Sequence, residues 1–181
     1  VVEKYDLDKI IKLSSNENSR GPSPKVLDLT HTYNNWHLYP DGDGKRLKST
    51  ISDLEKIEPD RIVLGNGSNE ILDLVGQTFL SPESESIFSA HAFAVYKLVS
   101  QVRGCKYHEI PTQDWGHDLD EFLNHINEKT RVIFIANPNN PTGTYLSHNQ
   151  IERFLNKVPS NIVVVIDLAY FEYVAADDYI R

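Results

Sequence analysis

The 181-residue sequence has a single cysteine and no methionine. Cys105 alone cannot close an internal disulfide, so the fold has to rest on an apolar core, as expected of a chain kept in a reducing cytoplasm. Basic residues are also in short supply. Eighteen Lys and Arg face 26 Asp and Glu, a formal charge of −8, and no Lys/Arg cluster interrupts that balance. A nucleic-acid surface must neutralise phosphates with a basic patch, so polyanions are not expected partners. No apolar run approaches the roughly 18 residues that a membrane helix needs. The opening residues, Val1 to Asp6, lack the basic-then-apolar pattern of a signal peptide. The seven histidines show no HxxxH or HExxH spacing, so no metal is expected. Because the chain starts at Val1 without a methionine, it is expected to be part of a longer polypeptide. What the sequence does have, 40% hydrophobic and 10% aromatic residues, suits a globular domain with a real core.

From Arg61 onward, short apolar runs alternate with longer amphipathic ones, the pattern of βα units. Strands are predicted at Arg61–Leu64, Glu85–Ser89, Lys106–Ile110, Arg131–Ala136 and Ile162–Asp167. The runs Val132-Ile133-Phe134-Ile135 and Ile162-Val163-Val164-Val165-Ile166 are nearly continuous, as expected of strands covered on both faces. Helices are predicted between them at Asn69–Leu80, Ala94–Val102, Leu119–Ile126 and Ser147–Asn156. The expected architecture is a three-layer α/β/α domain around a mostly parallel sheet. Residues 1–60 read differently. Gly21-Pro22-Ser23-Pro24 and Pro40-Asp41-Gly42-Asp43-Gly44 divide them into an arm and two helices, near 24–34 and 45–57, set apart from a larger domain over 61–181.

In open α/β sheets ligands bind at the carboxyl ends of strands. Gly65-Asn66-Gly67-Ser68-Asn69-Glu70 follows the first predicted strand and opens a helix, where free backbone N–H groups and the helix dipole suit a phosphate. A dinucleotide fingerprint fits poorly, because Glu70 occupies the third glycine position and no acidic residue ends the next strand. Asn137-Pro138-Asn139-Asn140-Pro141-Thr142-Gly143 follows a later strand, its prolines fixing a loop that holds Asn amides in one pose. Asp167-Leu168-Ala169-Tyr170 follows the last, placing a carboxylate and a phenol at a strand terminus. Taken singly, these are an ordinary glycine turn, a proline loop and a helix cap. Three in this order, each behind a strand, are hard to obtain by chance.

This set resembles the pyridoxal-phosphate aminotransferases of fold type I, and among them the histidinol-phosphate aminotransferases. Ser15-Asn16-Glu17-Asn18, Gly21-Pro22-Ser23-Pro24, Tyr39-Pro40-Asp41-Gly42, Phe93-Ala94-Val95-Tyr96 and Asp114-Trp115-Gly116-His117-Asp118 extend the resemblance over essentially the whole chain. It implies pyridoxal 5'-phosphate as cofactor, no metal, and a homodimer that moves the amino group of L-histidinol phosphate to 2-oxoglutarate in histidine biosynthesis. It also implies roles for particular residues. Ser68 and Asn69 would hold the cofactor phosphate by their backbone N–H groups, with Gly67 allowing close approach. Phe93 would stack on the pyridine ring, Asn140 and Tyr170 would hydrogen-bond its 3′-oxygen, and Asp167 would pair with its nitrogen. Tyr39 would reach the phosphate from the partner subunit.

The resemblance also shows departures. The family's Schiff-base lysine lies in a Ser-Lys segment downstream of the Asp-x-Ala-Tyr motif, and no lysine here, Lys157 included, matches it. The chain is therefore expected to be the N-terminal half of such an enzyme, without the C-terminal small domain and inactive alone. Leu168 stands where the family has Glu, and Asn18-Ser19-Arg20 stands where it often has Asn-Pro-Tyr. Two other readings remain open: a decarboxylase of an amino-acid phosphate, and a catalytically dead binding or assembly module.

Overall fold

The computed structural model describes residues 14–180. The chain divides into two compact units, one up to Leu47 and one from Lys48 onward. In the first, α1 (Pro24–Thr32) starts on a proline, whose missing N–H is not needed in a first helical turn. Gly44, at φ +59°, completes a turn whose Asp41 carboxylate accepts the N–H groups of Asp43 and Lys45, and α2 (Lys45–Glu55) begins there. No residue of α1 is buried, and Tyr33 packs edge-on against Trp36 at 4.9 Å.

The second unit continues through a short 3-10 turn, Pro59–Arg61, to α3 (Gly67–Phe79), β1 (Glu85–Ser89), α4 (Ala94–Val102), β2 (Lys106–Ile110), α5 (Leu119–Asn124), β3 (Thr130–Ala136), α6 (His148–Leu155) and β4 (Val163–Asp167). A second 3-10 turn, Phe171–Tyr173, follows. The four strands form one parallel sheet in the order β2-β1-β3-β4. Alternation along each strand explains the layers. Phe88, Val132 and Phe134 face one way, into a core with Leu72 of α3 and Tyr96 and Val99 of α4. Ile87, Ile133 and Ile135 face the other way, against Phe122 of α5 and Ile151 and Phe154 of α6. The result is the expected three-layer α/β/α arrangement.

One expectation fails. Arg61–Leu64 is not a strand. Ile62 has extended dihedrals, φ −103° and ψ 121°, but no strand pairs with this segment among the described residues, and Val63 is 69% exposed. An extended preference is local, whereas a strand also needs a ladder partner. β4 lies at the sheet edge and is half-buried, with Val163 and Val165 packed against one core and Val164 and Ile166 against the other, so both of its faces are covered as its sequence suggests.

Strand order reverses between β1 and β3, since the chain passes from β1 to β2 on one side and returns to place β3 on the other. The β1–β3 pairing ends at Ile87–Ile133, whereas β1 continues beside β2 to Ser89 and β3 beside β4 to Ala136. The sheet therefore opens at its carboxyl edge, at the switch point where α/β sheets bind ligands.

Candidate functional site

Each element delivers its residue to this edge for a local reason. Gly67, at φ +71°, turns the chain into α3 in a conformation that a side chain would strain. The side chain of Asn66, the residue capping α3, bonds none of the first-turn amides. Ser68 and Asn69 thus sit in the helical turn whose N–H groups lack intrahelical acceptors. Phe93 caps the start of α4 in extended geometry. Asn140 lies in the loop after β3, where Asn137 exchanges two bonds with the Leu146 backbone at 2.8 and 3.0 Å and Tyr179 donates to the Asn137 carbonyl. Asp167 ends β4.

Ser68, Phe93, Asn140, Asp167 and Tyr170 line one small pocket, together with Ala136 and Pro138. Gly67 and Asn69 flank Ser68 in the chain. Tyr39 belongs to the first unit, and its side chain is fully exposed. A larger cavity of about 340 Å³ lies on the α5–α6 side, where Lys157 pairs with Asp120 at 3.4 Å. It holds none of the predicted site residues.

The pocket's carboxylate is held from two sides. Ala169 N–H donates to Asp167 Oδ1 at 3.1 Å, and Tyr96 Oη–H donates to Oδ2 at 3.2 Å. Tyr96 is fully buried, stacked on Phe134 at 5.0 Å and edge-on to Phe93 at 5.9 Å. Burial, and then the neighbouring Asp167 carboxylate, push its phenol pKa well up, so it remains a donor. Tyr96 belongs to the Phe93-Ala94-Val95-Tyr96 motif, from which no role for it follows. Its signal was the aromatic three residues after Phe93, which on a helix returns to the sheet-facing side.

Tyr170 adopts φ +72° and ψ 11°, left-handed backbone that costs a residue with a Cβ roughly 1–2 kcal/mol. Strain of this kind persists where surroundings over-determine it, as around binding sites. Leu168 is half-buried beside it.

Comparison with known proteins gives the same direction. The sequence pattern of "Aminotransferase class I and II" matches residues 8–180. A "Histidinol-phosphate aminotransferase 2" of Pseudomonas fluorescens is 45% identical over 181 residues, covering 98% of this chain and 49% of that protein. A "Histidinol-phosphate aminotransferase 1" of Idiomarina loihiensis is 48% identical over 172 residues, covering 94% and 47%. The chain thus spans about half the length of the curated relatives it matches. Among solved structures, the histidinol-phosphate aminotransferase of Sinorhizobium meliloti, in complex with pyridoxal-5'-phosphate, superposes with a TM-score of 0.86 over 91% of this chain and 45% of that one. At 22% identity, that likeness speaks for the fold. With a family pattern matched across nearly its whole length and an α/β/α sheet carrying the motifs at its carboxyl edge, the chain belongs to the class I and II aminotransferases.

Proposed function

We propose that the protein containing this chain transfers the amino group of L-histidinol phosphate to 2-oxoglutarate with pyridoxal 5'-phosphate, as a step of histidine biosynthesis in the cytoplasm. The observation that carries the reading is the convergence of Ser68, Phe93, Asn140, Asp167 and Tyr170 on one pocket. Residues up to 102 positions apart in sequence have no local reason to meet.

The donor set fits the cofactor. The open first turn of α3 supplies N–H groups for a phosphate. The Phe93 ring covers one face of a planar ligand. Asn140 and Tyr170 supply polar groups for the 3′-oxygen. The Asp167 carboxylate, steadied by Tyr96 and Ala169, would keep the cofactor's ring nitrogen protonated by placing negative charge beside it. When bound, the cofactor supplies a conjugated ring that accepts the electron pair released when an amino substrate loses its α-proton.

The reading includes a homodimer in which Tyr39 reaches the phosphate of the partner's site. Two features support it: the side chain of Tyr39, just before the Pro40 turn, is fully exposed, and the apolar Leu29 and Trp36 of the same unit are 66% and 70% exposed. Apolar surface of that kind marks protein–protein contact.

Asp167→Ala in the complete protein tests the reading. The pyridinium proton matters most as charge develops, so kcat should fall by about two to three orders of magnitude while the cofactor still binds. Turnover like that of the parent would remove Asp167 from the mechanism. Glutamate formation coupled to L-histidinol phosphate is the primary assay; release of carbon dioxide without use of 2-oxoglutarate would replace transamination by decarboxylation.

A further inference from the structure

The motif Asp114–Asp118 is absorbed by none of the roles above, yet its histidine lies at the switch point. His117 is half-buried and follows a tight turn in which Asp114 and Trp115 take positive φ and Gly116 N–H bonds Gln113 O at 2.8 Å. Asp118 then caps α5 by accepting the Glu121 N–H at 3.0 Å. The ring is thereby fixed from both sides in sequence.

Its two nitrogens span the opened seam of the sheet. Nε2 lies 2.8 Å from the Ala136 carbonyl at the end of β3. A carbonyl oxygen only accepts, so Nε2 carries the proton. Nδ1 lies 2.6 Å from Ser89 Oγ at the end of β1, and in the neutral ring it accepts from that hydroxyl. Burial lowers the pKa of His117, which keeps the ring neutral and this tautomer in place. Phe122 packs edge-on against the ring at 6.1 Å. The bridge therefore replaces β1–β3 ladder bonds where they stop, and both anchors lead into the site. Ser89 runs to Phe93 by four residues. Ala136 lines the pocket and runs to Asn140. A second tie reinforces the first, since Asn139 Nδ2 donates to the His91 carbonyl at 2.7 Å.

We propose that His117 is a positioning residue that sets the spacing between the Phe93 turn and the Asn140 loop by bridging Ser89 and Ala136 across the switch point of the sheet. The inference rests on the cofactor reading above and adds to it the part that holds the two walls of the slot at a fixed separation. A ring that merely filled space would need neither hydrogen bond.

The test uses the complete protein, with pyridoxamine 5'-phosphate as probe because it binds without a covalent link. Its dissociation constant and the circular dichroism of its absorption band are measured alongside thermal unfolding of the unloaded protein. His117→Phe keeps a ring and removes both bonds, Ser89→Ala removes one anchor, and His117→Gln restores a donor and an acceptor. The expected result for His117→Phe is about tenfold weaker binding, the scale of one or two lost hydrogen bonds, together with a reduced cofactor band. Ser89→Ala should move both readouts the same way by less, and His117→Gln should recover most of each. A His117→Phe protein that melts earlier but binds with unchanged affinity and dichroism would overturn the proposal. Should that variant not fold, unchanged readouts in Ser89→Ala overturn it equally. If the parent protein binds no pyridoxamine 5'-phosphate at all, the cofactor reading fails first and this inference with it.

Discussion

Replacing Tyr96 by Phe keeps the ring stacked on Phe134 and removes only the phenol that donates to Asp167 Oδ2. One such bond contributes about 1 kcal/mol, and that loss should appear in urea unfolding with an unchanged slope. An unchanged midpoint would mean that the bond is replaced by water. A second single-residue effect lies at the amino edge of the sheet. Glu85 is buried and bonded by His108 Nε2 at 2.6 Å, Asn127 Nδ2 at 2.8 Å and Lys106 Nζ at 3.1 Å. The His108 bond first, then Asn127 and Lys106, outweigh burial and hold its carboxyl at about 2 instead of 4.5. The ionised group therefore stabilises the fold above the unfolded value, and that contribution drains as pH falls through about 2. Glu85→Gln should cost about 2 kcal/mol at neutral pH. The deficit relative to the parent should shrink in acid, and a deficit independent of pH would contradict this origin. Roles such as those of Tyr96 and His117 were illegible in the sequence, because each depends on a partner brought in by the fold: Tyr96 bonds a residue 71 positions away.

Among the elements, α3 meets α4 at Gly76. A Cβ there would lie 2.2 Å from Val99 Cγ1, so the glycine is demanded by contact and not by backbone conformation. Gly76→Ala should destabilise by about 1–3 kcal/mol, as overpacking does, despite alanine's better helix propensity. Adding Val99→Ala should recover part of that loss, and strictly additive melting shifts would show that the two side chains do not collide. Most elements were readable because they rest on local pattern. The Val132–Ile135 run fills both faces of β3, and Ser147 with Gln150 forms the capping box that starts α6. Arg61–Leu64 differs for the opposite reason, since nothing in four residues of strand-like sequence says whether a neighbour will pair with them. The pocket residues were legible in the sequence as motifs behind strands. Their meeting in one pocket is a property of the parallel sheet, which turns all its carboxyl ends to the same side.

For the molecule as a whole, the dimer reading makes Tyr39 a residue of the neighbouring site. Mixed dimers that pair a Tyr39→Phe subunit with an Asp167→Ala subunit test this. If Tyr39 acts across the interface, both defects fall in one site and the other is native, so about half of the parent activity and one native phosphate affinity remain. Loss of every native site would place Tyr39 in its own subunit.

The opened seam between β1 and β3 has a kinetic side as well. Neighbouring strands here are parallel and joined through helices, so every pairing closes a long loop, and the β1–β3 contact, Ser86 with Val132, closes the longest. Loop closure grows slowly costlier with length, about 0.6 kcal/mol per doubling, so β1–β2 and β3–β4 are expected to pair ahead of the seam that joins them. The His117 bridge lies beyond the last β1–β3 pair and is expected to close after it. Its bonds should be absent from the folding transition state. Ser89→Ala should then leave the refolding rate nearly unchanged and accelerate unfolding, with a φ-value near zero. On that order, the grip on the two walls of the slot would be made late in folding and lost early in unfolding.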